Sequence, residues 1–292
     1  MNLQSTPNHF DKCVVLCCDD NYLPFARTLV KDLTYFSPRY PIYVLTPKGS
    51  QISKLAPFEN LVNFIEVEIE KHSNYLNKSS HISLATYLRL FIPDFLPANV
   101  NHFLYLDIDL LLLSSIDELF SFETNFAFSL VPAGGKLTHH PLLENLKKVF
   151  YGGVMLVNRQ KWISENVTQK CIRLAREHGP FANQDNDLLL LIADEIGCGE
   201  LPTEYNVMYY QEAASMISIV HFPGTQKPWN SYHGGKFARV WRERYRVIEP
   251  NFQLGLKLYV DNTLTWIKNK LYTFALEYRN NQFKKGPNRI ID

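Results

Sequence analysis

Phe103-Leu104-Tyr105-Leu106-Asp107-Ile108-Asp109 is an apolar run that closes on two carboxylates one residue apart. The lead-in has the composition of a buried strand. Because side chains alternate faces along a strand, Asp107 and Asp109 point the same way. Two carboxylates on one side can share a divalent cation, and oxygen ligands suit Mg²⁺ or Mn²⁺. In an open α/β sheet, ligands gather outside the carboxyl ends of the strands, which is where this pair would stand. A polar strand exit into the next turn accounts for the same two residues taken alone.

Upstream, strand and helix alternate. Cys13–Cys17 is a short apolar strand, and Leu23, Ala26, Leu29, Val30 and Leu33 then recur at helical spacing until Ser37-Pro38. Ile42–Leu45 and Phe64–Val67 read as further strands, with a short helix over Ile52–Leu55 between them. This βαβαβ order specifies an α/β fold with a mostly parallel sheet and helices on its faces. Further on, the pattern predicts a helix over His81–Phe91 that ends at Pro93. Ser115 and Glu118 have capping-box spacing for a helix through Phe120. Strands are expected over 126–131 and 153–157, and one helix from about Arg159 to Glu177. Leu188–Ile192 is an apolar run too short for periodicity to assign.

The chain has 292 residues, enough for one elaborated domain, and a formal net charge of +1, so no global field argues for nucleic acid as a partner. Aromatic residues make up 13%, which excludes a disordered chain. Five cysteines, with no C-x-x-C pair, imply neither a zinc site nor a disulfide framework; Cys17 and Cys18 read as buried thiols of a reducing cytosol. His139 and His140 read as solvated loop histidines. Met1–Lys12 lacks the apolar segment of a signal peptide, and no stretch approaches the roughly 18 apolar residues that span a bilayer. A cytoplasmic location follows, free or peripheral on the inner membrane.

Residues 1–250 read as a catalytic domain and 251–292 as a separate tail. The tail interleaves Leu254, Leu258, Trp266, Leu271, Phe274 and Tyr278 with Lys257, Lys268, Lys270, Arg279, Lys284, Lys285 and Arg289. That composition suits a helix lying on an anionic membrane surface, or one packed on the domain or in a dimer.

The chemistry is carried by separated segments. Asp19-Asp20-Asn21-Tyr22 follows the first strand and would meet Asp107 and Asp109 at one sheet edge. Asp19 and Asn21 offer acceptors and donors for a base and ribose, and Tyr22 a face for stacking. In His221-Phe222-Pro223-Gly224-Thr225-Gln226-Lys227-Pro228-Trp229, His221 could complete a metal set, Gly224 lets backbone approach a phosphate and Lys227 pairs its charge.

With Cys18–Tyr22, His81-Ile82-Ser83, Tyr87, Arg89, Tyr105–Asp109, Gly153–Asn158, Gln184-Asp185 and His221–Trp229, in that order, the chain resembles the retaining glycosyltransferases of family 8. That group contains bacterial lipooligosaccharide galactosyltransferases, lipopolysaccharide glycosyltransferases and glycogenin. The resemblance implies a GT-A fold, a UDP-hexose donor carrying galactose or glucose, and Mn²⁺ (or Mg²⁺) held by Asp107, Asp109 and His221. It implies a glycan or lipid-linked oligosaccharide acceptor. A glycogenin-like transferase that glycosylates protein, or a catalytically weak homologue that binds sugar nucleotide or glycan, would carry the same motifs. By position, Cys17, Asp19, Asn21 and Tyr22 belong to the nucleotide end of the site. Near the ribose and sugar stand His81, Arg89, Asp107, Ile108 and Gly152, with Asn183 and Gln184 beside the transferred hexose and His221, Gly224 and Lys227 at the diphosphate. Gln184, Asp185 and Asp107 match catalytic positions. Gln184 lies at the position closest to the reacting face, and an amide there is a poor nucleophile, which favours front-face departure and attack over a durable covalent intermediate.

Two departures bear on the donor. Asn183-Gln184-Asp185 stands where the family usually has Asp-Gln-Asp, and Phe150-Tyr151-Gly152-Gly153 replaces a segment that carries a polar residue ahead of the Gly-Val strand.

Overall fold

The computed structural model describes residues 11–69, 84–122, 125–134, 140–211, 215–230 and 235–253. Strand β1 (Lys12–Cys17) leads into helix α1 (Leu23–Phe36), β2 (Ile42–Pro47), β3 (Val62–Val67), a 3₁₀ helix at Leu84–Phe91, the short α2 (Ile92–Phe95) and β4 (His102–Leu106). Then come β5 (Leu110–Leu112), β6 (Phe128–Pro132), β7 (Phe150–Asn158), α3 (Arg159–Ser164), α4 (Val167–His178), α5 (Gln184–Ile196) and β8 (Gly199–Glu200). The described chain continues through β9 (Val207–Met208), β10 (Ile219–His221) and α6 (Gly235–Ile248). A seven-stranded sheet runs β3-β2-β1-β4-β7-β6-β8, with β3, β2, β1 and β4 parallel and β7 antiparallel to both β4 and β6.

The alternation of side chains sorts β1 and β4 into two cores. Val14, Leu16, Leu104 and Leu106 pack with Leu23, Ala26, Leu29 and Leu33 of α1. On the opposite face Cys13, Val15, Phe103 and Tyr105 meet Leu88, Trp162, Cys171 and Leu188 from the helices beyond. Both faces are covered, which is why these strands are apolar throughout rather than alternating. Cys17 and Cys18 are buried thiols, as the sequence implies.

A three-stranded sheet, β5-β10-β9, hangs from the end of β4. β10 pairs antiparallel with β5, so that His221 lies opposite Leu110, and the Phe222 N–H donates to the Asp109 carbonyl at 3.0 Å. Helix α6 clamps this unit onto α1. It buries Phe237, Ala238, Trp241 and Tyr245 at helical spacing, while Arg244 donates to Asp32 at 2.7 Å and to the Leu112 carbonyl at 2.6 Å.

Some elements differ from the sequence reading. The segment through Phe91 is 3₁₀ and passes into α2, where Pro93 sits in the first turn instead of ending a helix; a missing N–H costs nothing there. Ser115 accepts the N–H of Asp117 at the start of a 3₁₀ turn (Asp117–Ser121), but Glu118 accepts the Tyr205 hydroxyl instead of closing a capping box. The helix expected over 159–177 is broken into α3 and α4 by Asn166, whose φ is +54°. Leu188–Ile192 lies within α5. His140 holds a turn by accepting the Leu142 N–H; His139 lies outside the described residues. So do His81 and the tail from residue 254 on. No described helix is long and apolar enough to cross a membrane.

Candidate active site

The exit of β4 and the end of β10 bring Asp107, Asp109 and His221 together, their ligand atoms all within 4.8 Å of one another. His221 Nε2 lies 3.3 Å from Asp109 Oδ1 and 3.8 Å from Asp107 Oδ2. On the other side of the ring, Nδ1 is 2.8 Å from the Asn206 side-chain oxygen. That acceptor places the imidazole proton on Nδ1, so Nε2 turns a lone pair toward two carboxylates. Three electron-rich donors converging on one point repel each other unless a cation lies among them. The donor set therefore fits a divalent metal of the oxygen-and-imidazole kind.

Lys227 donates to Asp109 Oδ2 and, at 2.9 Å, to the Phe222 carbonyl. Burial works to raise the Asp109 carboxyl, but the Lys227 ammonium beside it overrides this and holds the group well below the usual carboxylate range. For Lys227, burial opposes the charge and Asp109 more than restores it, leaving the ammonium raised.

A second charged layer lies behind Asp107. Arg89, buried at the end of the 3₁₀ helix, donates through Nε to Asp185 and through Nη1 to the Gly152 carbonyl at 2.8 Å; Nη1 also stands 3.9 Å from Asp107 Oδ1. Its guanidinium lies over the Tyr105 ring at 5.3 Å. The Tyr105 hydroxyl donates to Asp107 Oδ1 at 2.5 Å. Burial pushes the Asp185 carboxyl up to about 6 with Arg89 opposing, and its Oδ2 is committed to the guanidinium. Gln184, 1% exposed, begins α5 with a φ of +47°. Asn183 gives two hydrogen bonds to Asp187, one from its backbone and one from its side chain.

Past the end of β1, Asp19 accepts the N–H of Asn21 at 2.9 Å, forming a turn that leaves Asn21 and Tyr22 exposed. Tyr22 meets Trp229 edge-on at 5.7 Å, and Trp229 stacks on Phe25 at 4.5 Å. Asp20 turns away, accepting from the Gln51 N–H and from Lys54. Gly224 has a φ of +75°. Cys17 and Ile108 are buried and form wall. His81 lies outside the described residues.

Several contributors carry no assigned role in the sequence reading. Tyr105 lies two residues before Asp107 and so on the same strand face, a period-two signal that was available. Asn206 has none, since it meets His221 only through the pairing of β9 with β10. A Cβ on Gly153 would lie 2.5 Å from His221 Cε1 and 3.1 Å from Asp107 Oδ2. One on Gly152 would lie 2.5 Å from Asn186 Oδ1 and 3.0 Å from Arg89 Nη1. The glycine pair thus makes room for the imidazole and the guanidinium.

Residues 13–233 match the family model described as glycosyl transferase family 8. Among curated relatives, glycosyltransferase GlyA of Streptococcus pneumoniae serotype 4 is 27% identical over 246 residues, which cover 79% of this chain and 34% of the relative. This chain therefore spans about a third of that protein's length. The lipopolysaccharide 1,2-glucosyltransferase of Escherichia coli is 24% identical over 198 residues, covering 59% of this chain and 57% of the relative. The crystal structure of the galactosyltransferase LgtC in complex with donor and acceptor sugar analogues superposes with a TM-score of 0.67 at 20% identity, covering 81% of this chain and 95% of that one. The shared architecture is the GT-A fold.

Proposed function

The chain belongs to glycosyl transferase family 8, and from that premise we propose that it is a metal-dependent, retaining hexosyltransferase. It moves galactose or glucose from a UDP-sugar to a glycan acceptor of the lipopolysaccharide or lipooligosaccharide kind. The observation that carries this reading is the convergence of Asp109, Asp107 and the Nε2 lone pair of His221 beside Lys227. Bound Mn²⁺, or Mg²⁺ in its place, would neutralise the diphosphate and act as Lewis acid on the leaving group. The protein's own groups divide the remaining work. Lys227, which shares Asp109 with the cation position, turns its ammonium to the diphosphate and adds positive charge where negative charge develops. Asn206 keeps the His221 proton on Nδ1, and Tyr105 holds Asp107 by its Oδ1. Asp19, Asn21 and Tyr22 take the uridine, with Trp229 and Phe25 backing Tyr22. Asp185 holds Arg89 at the sugar end, and Gln184 borders the reacting face without forming a durable bond.

Donor turnover tests this reading. UDP-galactose and UDP-glucose are offered with Mn²⁺, and UDP, GDP and CDP are titrated under the same conditions. UDP should bind tightest, and Asp109→Ala should abolish transfer while the protein stays folded. NMR of the product should show a retained anomeric configuration. Full activity in excess chelator, or an inverted product, would refute the corresponding part of the proposal.

A further inference from the structure

The first turn of α5 is closed by a clamp. Asp187 is fully buried and accepts on both carboxylate oxygens, Oδ2 from the Asn183 backbone N–H at 2.9 Å and Oδ1 from Asn183 Nδ2 at 3.0 Å. The three residues enclosed by these two bonds are Gln184, Asp185 and Asn186, and the first of them, Gln184, has φ +47°. A non-glycine residue stays in that region only where its surroundings over-determine it. The next residue, Asp185, grips Arg89, which reaches the Gly152 carbonyl and the edge of Asp107. One turn therefore joins a left-handed glutamine to the charged layer behind the metal ligands.

We propose that Asp187 is a positioning residue: by seizing Asn183 at two points it holds Gln184 left-handed and sets where Gln184 and the Asp185–Arg89 pair stand against Asp107. The inference rests on the reading of this cleft as a sugar-nucleotide transferase. It also explains the amide at 183. Asp187 has only acceptors to offer, so its partner must donate, and a carboxylate at 183 would set a second anionic group about 3 Å from the buried Asp187 carboxylate. The side chain at 183 is thus matched to Asp187 and oriented by it. Exchanging the two chemistries preserves the clamp, because an amide at 187 still has an oxygen for the backbone N–H and an NH₂ for a carboxylate at 183.

The test uses the full chain, N183D and N183D/D187N, with kcat, donor KM for the UDP-hexose in Mn²⁺, and thermal midpoint measured for each. N183D should lower kcat at saturating donor about tenfold with KM changed less than about threefold, and the exchanged pair should return kcat to within about threefold of wild type. A role in stability alone would move the midpoint without this split. If N183D is as active as wild type, or changes hexose preference, the 183 side chain contacts the donor and the clamp is wrong. It is equally wrong if the exchanged pair is no better than N183D. Should N183D fail to fold, Asn183→Ala loses only the side-chain bond and must still lower kcat about threefold or more; unchanged kcat overturns the proposal. If the wild type turns over no UDP-hexose, the functional reading fails on its own. The midpoints still judge the clamp, since they need no substrate: additive shifts refute it, and rescue by the second substitution supports it.

Discussion

Gly153→Ala is a one-methyl change that should disable the proposed metal site. The added methyl would lie 2.5 Å from His221 Cε1, 2.8 Å from Nδ1 and 3.1 Å from Asp107 Oδ2. Ordinary carbon contacts begin near 3.5 Å, so the ring must retreat by about 1 Å. It has little room. β7 is paired with β4 up to Val154, the Gly153 carbonyl accepts the Asp107 N–H at 2.9 Å, His221 is 7% exposed, and its Nδ1 is tied to Asn206. Overpacking of this kind costs about 1–3 kcal/mol of stability, so a folded variant with a displaced imidazole is the expected product. A 1 Å misplacement of a ligand suffices for about a hundredfold loss of rate. We expect Mn²⁺ affinity, read by calorimetric titration in the presence of UDP, to fall about tenfold or more, and transfer to fall about a hundredfold. Circular dichroism should be unchanged. If Gly153→Ala keeps both metal affinity and transfer within threefold of wild type, His221 is not held where the geometry puts it or does not bind metal, and the reasoning fails.

Tyr105→Phe deletes the hydroxyl that donates to Asp107 Oδ1 at 2.5 Å; a bond to a charged group is worth about 1.5–3 kcal/mol, so the metal concentration giving half-maximal activity should rise about tenfold, and an unchanged metal requirement would remove Tyr105 from the site. Away from the cleft, burial raises the Asp32 carboxyl to about 6 against the opposing pull of Arg244. The folded value is above the unfolded one of about 3.9, so this contribution is full below about pH 4 and is lost as pH rises through 6. Relative to Asp32→Asn, the wild type should therefore lose on the order of 2–3 kcal/mol between pH 4 and 7 in urea titrations; a difference independent of pH would contradict the assignment. For the tail, truncation after Pro250 should abolish sedimentation with anionic liposomes at low salt, whereas equal binding of the truncated form would dismiss a membrane role and loss of folding would point to a packed helix.

The β1–α1–β2 order and both apolar faces of the parallel strands were legible in the sequence because each depends on a local period of two or 3.6 residues; Asp107 and Asp109 do converge, but in the turn between β4 and β5, past the end of the strand whose alternation predicts their shared direction. The motif around His221 was also legible, as a set of residue types. What the sequence could not state is why His221 turns a lone pair toward Asp107 and Asp109. That is decided by Asn206, 15 residues upstream, which sets the tautomer through a strand pairing that no local pattern announces. Asn166 broke the expected helix by a single left-handed residue, and periodicity averages over such a residue without registering it. Gly152 and Gly153 read as a missing polar contact, whereas their use is the space they leave for side chains from a 3₁₀ helix and from the second sheet. The amide at 183 read as a lost carboxylate until Asp187, four residues on, proved to be its partner. Local spacing specifies which groups share a face; only the packed chain decides which groups share a hydrogen bond, because burial removes the water that would otherwise serve any partner equally well.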